Sequence, residues 1–195
     1  MTFYVRNTEI TARFGFFAVL ALLLCLDGGA HVLPAVLACL VHEAGHLLAA
    51  HLCGMRIEAV RFGALGIQMV GDNGSVSHLR RAAVSLAGPL ANLLFFVLLL
   101  PAPLEFGAVQ LLLFLFHILP AVPLDGGMAL YSLLCSVCPE KRAATWVTVI
   151  SALLALGLGT LGFSILLRTR YNFSLLFLSV YILLYLVLKR RGNLC

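Results

Sequence analysis

The sequence predicts an all-α polytopic membrane protein of about six transmembrane helices, with a short membrane-associated β-hairpin. Composition is the first observation behind this. The 195 residues are 62% hydrophobic and only 11% charged, where a soluble domain has roughly 45–50% apolar and about 25% charged residues. That leaves too little polar side chain to cover a soluble globule, and too much apolar side chain for a disordered chain. The second observation is that the apolar residues collect into six runs, 14–26, 32–53, 83–100, 108–135, 143–167 and 171–188. The third is the placement of the 13 basic residues. With both termini inside, Arg6, Arg13, Arg56, Arg61, Arg80, Arg81, Lys141, Arg142, Lys189, Arg190 and Arg191 fall in inside segments, and Arg168 and Arg170 alone fall outside. Removing any one span would flip every later loop and spoil this bias, which normally marks the cytoplasmic side.

The elements follow in order. The first run is short for a span and has residues before Arg13 to recruit. The second, 32–53, is long enough to cross. Between it and the third run lies the one long connection, where Arg56–Phe62 is β-prone and partly alternating and Leu65–Val70 follows after Gly63. This predicts a hairpin, and Asp72-Asn73-Gly74-Ser75 supplies turn chemistry. The fourth run is interrupted by Pro120 and Pro123, which remove backbone donors. A helix broken at membrane depth tends to line a cavity. Trp146, Tyr171 and Tyr185 stand near span ends as interfacial anchors. No repeat, linker or cleavable signal peptide is expected, so 1–195 reads as a single integral-membrane domain with both termini cytoplasmic. The net charge of +5 is spent on topology, which argues against a nucleic-acid partner. Cys25, Cys39, Cys53, Cys135, Cys138 and Cys195 do not form a secreted disulfide pattern, and several behave as small hydrophobes.

Acids inside spans are costly, about 2.5–3.5 kcal/mol for an Asp at a helix centre, and are functional candidates by default. Of eight acids, only Glu43 and Asp125 lie within apolar runs. Glu43 belongs to His42-Glu43-Ala44-Gly45-His46. Residues four apart share a helix face, so both imidazoles can bind one metal, and Glu43 can reach a water beside it as a general base. A catalytic zinc takes three protein ligands. His51 is off the shared face and reads as an interfacial residue. Asp125 is the better third ligand, since the prolines and glycines of 120–127 deform the backbone enough to aim a carboxylate at another helix. The competing reading makes Asp125 an N-cap. In Gly88-Pro89-Leu90-Ala91-Asn92, the Gly and Pro permit close helix approach. Asn92 is either a donor to a substrate carbonyl or oxyanion or an interhelical hydrogen-bonding residue. His31 and His78 carry no motif. Cys135 and Cys138 spell C-x-x-C without the second pair or βαβ context that a metal or redox site would need.

Together, His42-Glu43-x-x-His46, Ala87-Gly88-Pro89-x-x-Asn92 and Pro120-x-x-x-Leu124-Asp125-Gly126-Gly127 resemble the site-2 protease family of intramembrane zinc metalloproteases. The resemblance covers about residues 32–135 and is closest to the branch of stage IV sporulation protein FB. It implies a three-helix catalytic core, with one zinc ion held by His42, His46 and Asp125. It further implies a zinc metalloendopeptidase acting on a membrane or membrane-associated protein substrate in regulated intramembrane proteolysis, with regulatory membrane partners. Two positions depart from the family pattern: His117 stands where the family usually has Asn, and Met128 where a basic residue is frequent. His117 is open to two readings, an alternative metal ligand or a hydrogen-bond donor in place of the amide, and like Asn92 it is a substrate or oxyanion candidate. No PDZ or CBS domain is expected within 1–195. The rival functions are a non-proteolytic metal-binding membrane protein and an ion-coupled transporter. No inverted repeat supports the transporter.

Overall fold

The computed structural model describes residues 2–5, 8–12, 14–27, 31–63, 66–71, 76–99 and 104–190. The turn at 72–75, Arg6, Arg13, Arg191 and Cys195 lie outside these residues. The chain is mostly helical and divides into two compact units, Met1–Leu115 and Phe116–Cys195.

The first unit begins with strands β1 (Thr2–Val5) and β2 (Thr8–Ala12), then helices α1 (Phe14–Asp27) and α2 (Val32–Leu52), strands β3 (Ile57–Gly63) and β4 (Gly66–Gly71), helix α3 (His78–Leu98) and most of α4 (Leu104–His117). Where the sequence predicts two strands, the described residues form four, in the order β1-β2-β3-β4. β3 and β4 pair antiparallel, from Gly63 opposite Gly66 to Ile57 opposite Gly71, with an irregularity between Ile57 and Ala59. β2 lies parallel to β3, Ile10 opposite Val60. The described residues before Arg13 therefore do not extend the first span, as the sequence suggested, but form the strands β1 and β2. Thr, Ile, Phe, Tyr and Val dominate both N-terminal strands, and such residues fit a pleated surface.

The helices show why so apolar a chain can carry a polar site. On α2, Pro34, Ala38, His42, His46 and Ala50 are the buried residues. They are spaced every four positions and so form one face. Leu33, Leu37, Leu40, Leu48 and Leu52 are exposed, Leu48 at 61% and Leu52 at 75%. This inverts the soluble pattern, and large exposed apolar faces of this kind mark a membrane or partner surface. The buried face of α3 is Ala82, Gly88, Pro89 and Asn92. It approaches α2 so closely that a Cβ on Gly45 would lie 2.7 Å from both the Ala87 carbonyl oxygen and Ala91 Cβ. Small residues allow such approach between apolar helices.

The second unit holds the end of α4, then α5 (Asp125–Cys135), α6 (Glu140–Thr169) and α7 (Ser174–Arg190). The run predicted over 108–135 is thus broken between His117 and Asp125, around Pro120 and Pro123. Its core is Ala121, Leu124, Ala155 and Ile182, with Phe116, Leu154 and Leu178 packed on it. Gly162 brings α6 against the backbone of α7, where a Cβ would meet Leu176 N at 2.8 Å. α2, α3 and α6 are long and apolar enough to cross a membrane. Among the described residues, 106–117 and 174–188 are shorter apolar helices.

Candidate metal centre

The site in the first unit is built on the facing sides of α2 and α3. His42 and His46 are 4% and 7% exposed. Their rings meet edge to face with centroids 4.7 Å apart, and their Nε2 atoms are 3.1 Å apart. The hydrogen bonds at the other ring nitrogens decide the tautomers. His46 Nδ1 lies 2.8 Å from the Val84 carbonyl oxygen. A carbonyl only accepts, so Nδ1 carries the proton and, in the neutral ring, Nε2 carries a lone pair.

The same logic holds for His42 through Asn92, which is fully buried. Asn92 Nδ2 is 3.1 Å from the Ala38 carbonyl oxygen, which orients the amide so that Oδ1 faces His42. His42 Nδ1–H then donates to Oδ1 at 2.6 Å, and His42 Nε2 also carries a lone pair. Two ring nitrogens facing each other across 3.1 Å in this tautomer are placed to share a cation. Two nitrogens each about 2.0–2.1 Å from a tetrahedral zinc would be roughly 3.3 Å apart, so the pair fits the metal. The Nδ1 partners supply the outer contacts that usually fix a ligating imidazole.

Gly88 completes the fit. A Cβ there would collide with the His46 ring at Nε2 and would lie 2.6 Å from its Cε1, so only glycine lets α3 pass beneath this imidazole. Pro89 removes the amide that would have bonded the Ser85 carbonyl, one residue after the carbonyl that holds His46. Glu43 is half-buried on α2 beside His42. His51 is exposed in the last turn of α2.

Asn92 donates both amide hydrogens within the protein, to Ala38 O and to Gln110 Oε1 at 2.6 Å, while its oxygen accepts from His42. In this arrangement the side chain orients an imidazole. Sequence reading did not single out Gln110. It is a buried amide on an apolar helix, and an isolated amide in an apolar run is its one sequence signal.

In the second unit, Leu124 is the N-cap of α5 and Asp125 its first helical residue. The N-cap reading of Asp125 therefore gives way to a first-turn acid, favourable at the positive end of the helix. The backbone before it is tightly wound. Cβ atoms on Gly126 and Gly127 would strike the backbone of Ile118 and of Ala121, respectively. Val122 N–H donates to Ser151 Oγ at 2.9 Å, which ties the proline-rich segment to α6. His117 is half-buried at the end of α4, its ring edge-on to Phe116 with centroids 5.0 Å apart. Cys138 Sγ donates to Leu134 O at 3.1 Å, a local helix-end contact, and both Cys135 and Cys138 are reduced.

No family model matches the chain. Over 138 residues, 62% of its length, the chain is 29% identical to a protein of Synechocystis sp. named as a candidate zinc metalloprotease. That match covers 36% of the relative, so the chain spans about a third of the length of the curated protein it matches. Among solved structures it is similar to the site-2 protease from Methanocaldococcus jannaschii, with a TM-score of 0.67 and 21% identity, over 93% of this chain and 91% of the other. The chain thus shares its fold with a site-2 protease, and its sequence is similar to that of a candidate zinc metalloprotease.

Proposed function

We propose that this chain is an intramembrane zinc metalloprotease that hydrolyses a peptide bond of a membrane-embedded or membrane-associated protein, in regulated intramembrane proteolysis. One observation carries the reading: two buried imidazoles have their Nδ1 protons committed and their Nε2 lone pairs 3.1 Å apart. His42 and His46 would hold the zinc, with Asp125 as the third ligand. The sequence motif and the wound backbone ahead of α5 support Asp125 in this role. A zinc ion bound there would acidify water toward a pKa of about 7 and polarise a peptide carbonyl.

The remaining chemistry belongs to the chain. Glu43 takes a proton from the attacking water and returns it to the leaving amine. Asn92 keeps His42 in the tautomer that presents Nε2. The burial of His42 and His46 keeps bulk water from the imidazoles. A helical substrate hides its carbonyls in its own hydrogen bonds and must unwind to be cut. β4 lies at the edge of the sheet and offers backbone groups to an extended substrate strand. The topology that goes with this function has six spans, with both termini on the cytoplasmic side.

The test is zinc analysis of the purified protein together with cleavage of candidate single-span substrates, wild type against Glu43→Gln. The expected result is stoichiometric zinc in both proteins, with cleavage reduced about 10²- to 10⁴-fold in the variant, the usual worth of a general base. Wild type without zinc would overturn the metal centre. Zinc with no dependence of function on Glu43 would instead point to a metal-binding membrane protein without protease activity.

A further inference from the structure

We propose that Gln110, on α4, is a positioning residue for the metal centre, acting through Asn92 on the tautomer and orientation of His42. The inference rests on the zinc reading above and adds a third helix to the support of the site. Three side chains form a directed chain of hydrogen bonds. Gln110 Oε1 accepts from Asn92 Nδ2 at 2.6 Å. Asn92 Oδ1 accepts from His42 Nδ1–H at 2.6 Å. All three residues are buried, with Asn92 0% and Gln110 4% exposed.

The Asn92 amide has two hydrogens and no access to solvent, so each needs an acceptor. The Ala38 carbonyl takes one at 3.1 Å, and Gln110 takes the other. Without the Gln110 oxygen one donor is stranded, and the amide is pulled toward any other acceptor in reach. Rotation of the amide withdraws Oδ1 from His42. With that contact weakened the proton is less firmly fixed on Nδ1, and a proton on Nε2 is incompatible with metal ligation. Gln110 thus acts through polarity at one point, and any side chain that presents an acceptor there should serve.

The experiment uses the full chain in detergent, with zinc affinity read by competition with a chromogenic chelator. Gln110→Leu, of comparable bulk and without an acceptor, should weaken zinc binding about three- to tenfold. This is somewhat less than the tenfold to hundredfold typical when a direct partner of a ligand is removed. Gln110→Glu keeps an acceptor oxygen and should stay within about threefold of wild type. In the metal-depleted wild type with ¹⁵N-labelled histidine, His42 should appear as the Nδ1–H tautomer. A His42 found as Nε2–H overturns the proposal whether or not any variant folds. So does a Gln110→Leu protein that binds zinc as tightly as wild type, or a Gln110→Glu protein that loses as much affinity as Gln110→Leu. Absence of zinc from the wild type is a separate result and would remove the metal centre itself.

Discussion

At the scale of single residues, the site depends on which atom carries a proton and which atom has no room to exist. His42 and His46 present Nε2 because Asn92 Oδ1 and Val84 O hold their other nitrogens. Gly88 matters for what it lacks. Gly88→Ala would press a methyl group into the His46 ring and drive the imidazole off the Val84 carbonyl. Overpacking of this kind costs about 1–3 kcal/mol. The expected outcome is a lower melting temperature together with weaker zinc binding, checked by thermal unfolding and chelator competition on one preparation. Zinc affinity equal to wild type would show that the glycine serves helix packing alone. His42, Glu43 and His46 were legible in the sequence because a four-residue spacing on a helix is a local property. Val84 was not, since a backbone carbonyl has no sequence signature. Gln110 stood in plain view within an apolar run, but its meaning depends on what faces it.

At the scale of elements, two packing arrangements position the chemistry. α2 lies on α3 through Gly45, Ala87, Gly88 and Ala91, and the small residues replace the bulky core of a soluble bundle. In the second unit, the segment between α4 and α5 is wound so tightly that Gly126 and Gly127 are the residues that fit. Ser151, itself fully buried, accepts the Val122 N–H and donates to Val147 O at 2.7 Å. Ser151→Ala strands that buried donor, a loss of about 1–3 kcal/mol. A fall in melting temperature is expected, with Ser151→Thr nearer to wild type because it restores an acceptor. If Ser151→Ala melts like wild type, this tie does not hold the segment. The break itself was legible from Pro120 and Pro123. Its anchor was not, because Ser151 is one hydroxyl among several on an apolar helix and only the fold brings it to Val122. The N-terminal strands escaped for a related reason. β2 pairs locally with β1, Val5 opposite Thr8, but its second partner β3 comes about fifty residues later in the chain, and that parallel pairing leaves no local turn signal.

At the scale of the whole molecule, each long helix exposes leucines and buries mostly small residues, joined on α2 by His42 and His46. Packing and hydrogen bonds then hold such helices together, since burial of apolar surface gives little inside a bilayer. A bound ion would add to this. With free zinc at about 100 times its Kd, stabilisation of about 2.7 kcal/mol is expected, read as a rise in melting temperature over the metal-depleted protein. Asp125→Asn should abolish most of that increment and leave the metal-depleted melting temperature near that of wild type. A full zinc-induced rise in this variant would exclude Asp125 as a ligand.

By itself, the sequence determined the class of the molecule and named its candidate metal-binding and catalytic groups. Hydrophobicity, charge bias and a four-residue spacing are properties of the chain read locally, and they hold whatever the helices do next. Only the tertiary structure decided what the reactive groups can do. The two Nε2 lone pairs face each other because Asn92 and Val84, both far from the histidines in the chain, arrive beside them in one register of α3 against α2. A hydrogen bond depends on tenths of an ångström and on direction, and neither is written in composition or period.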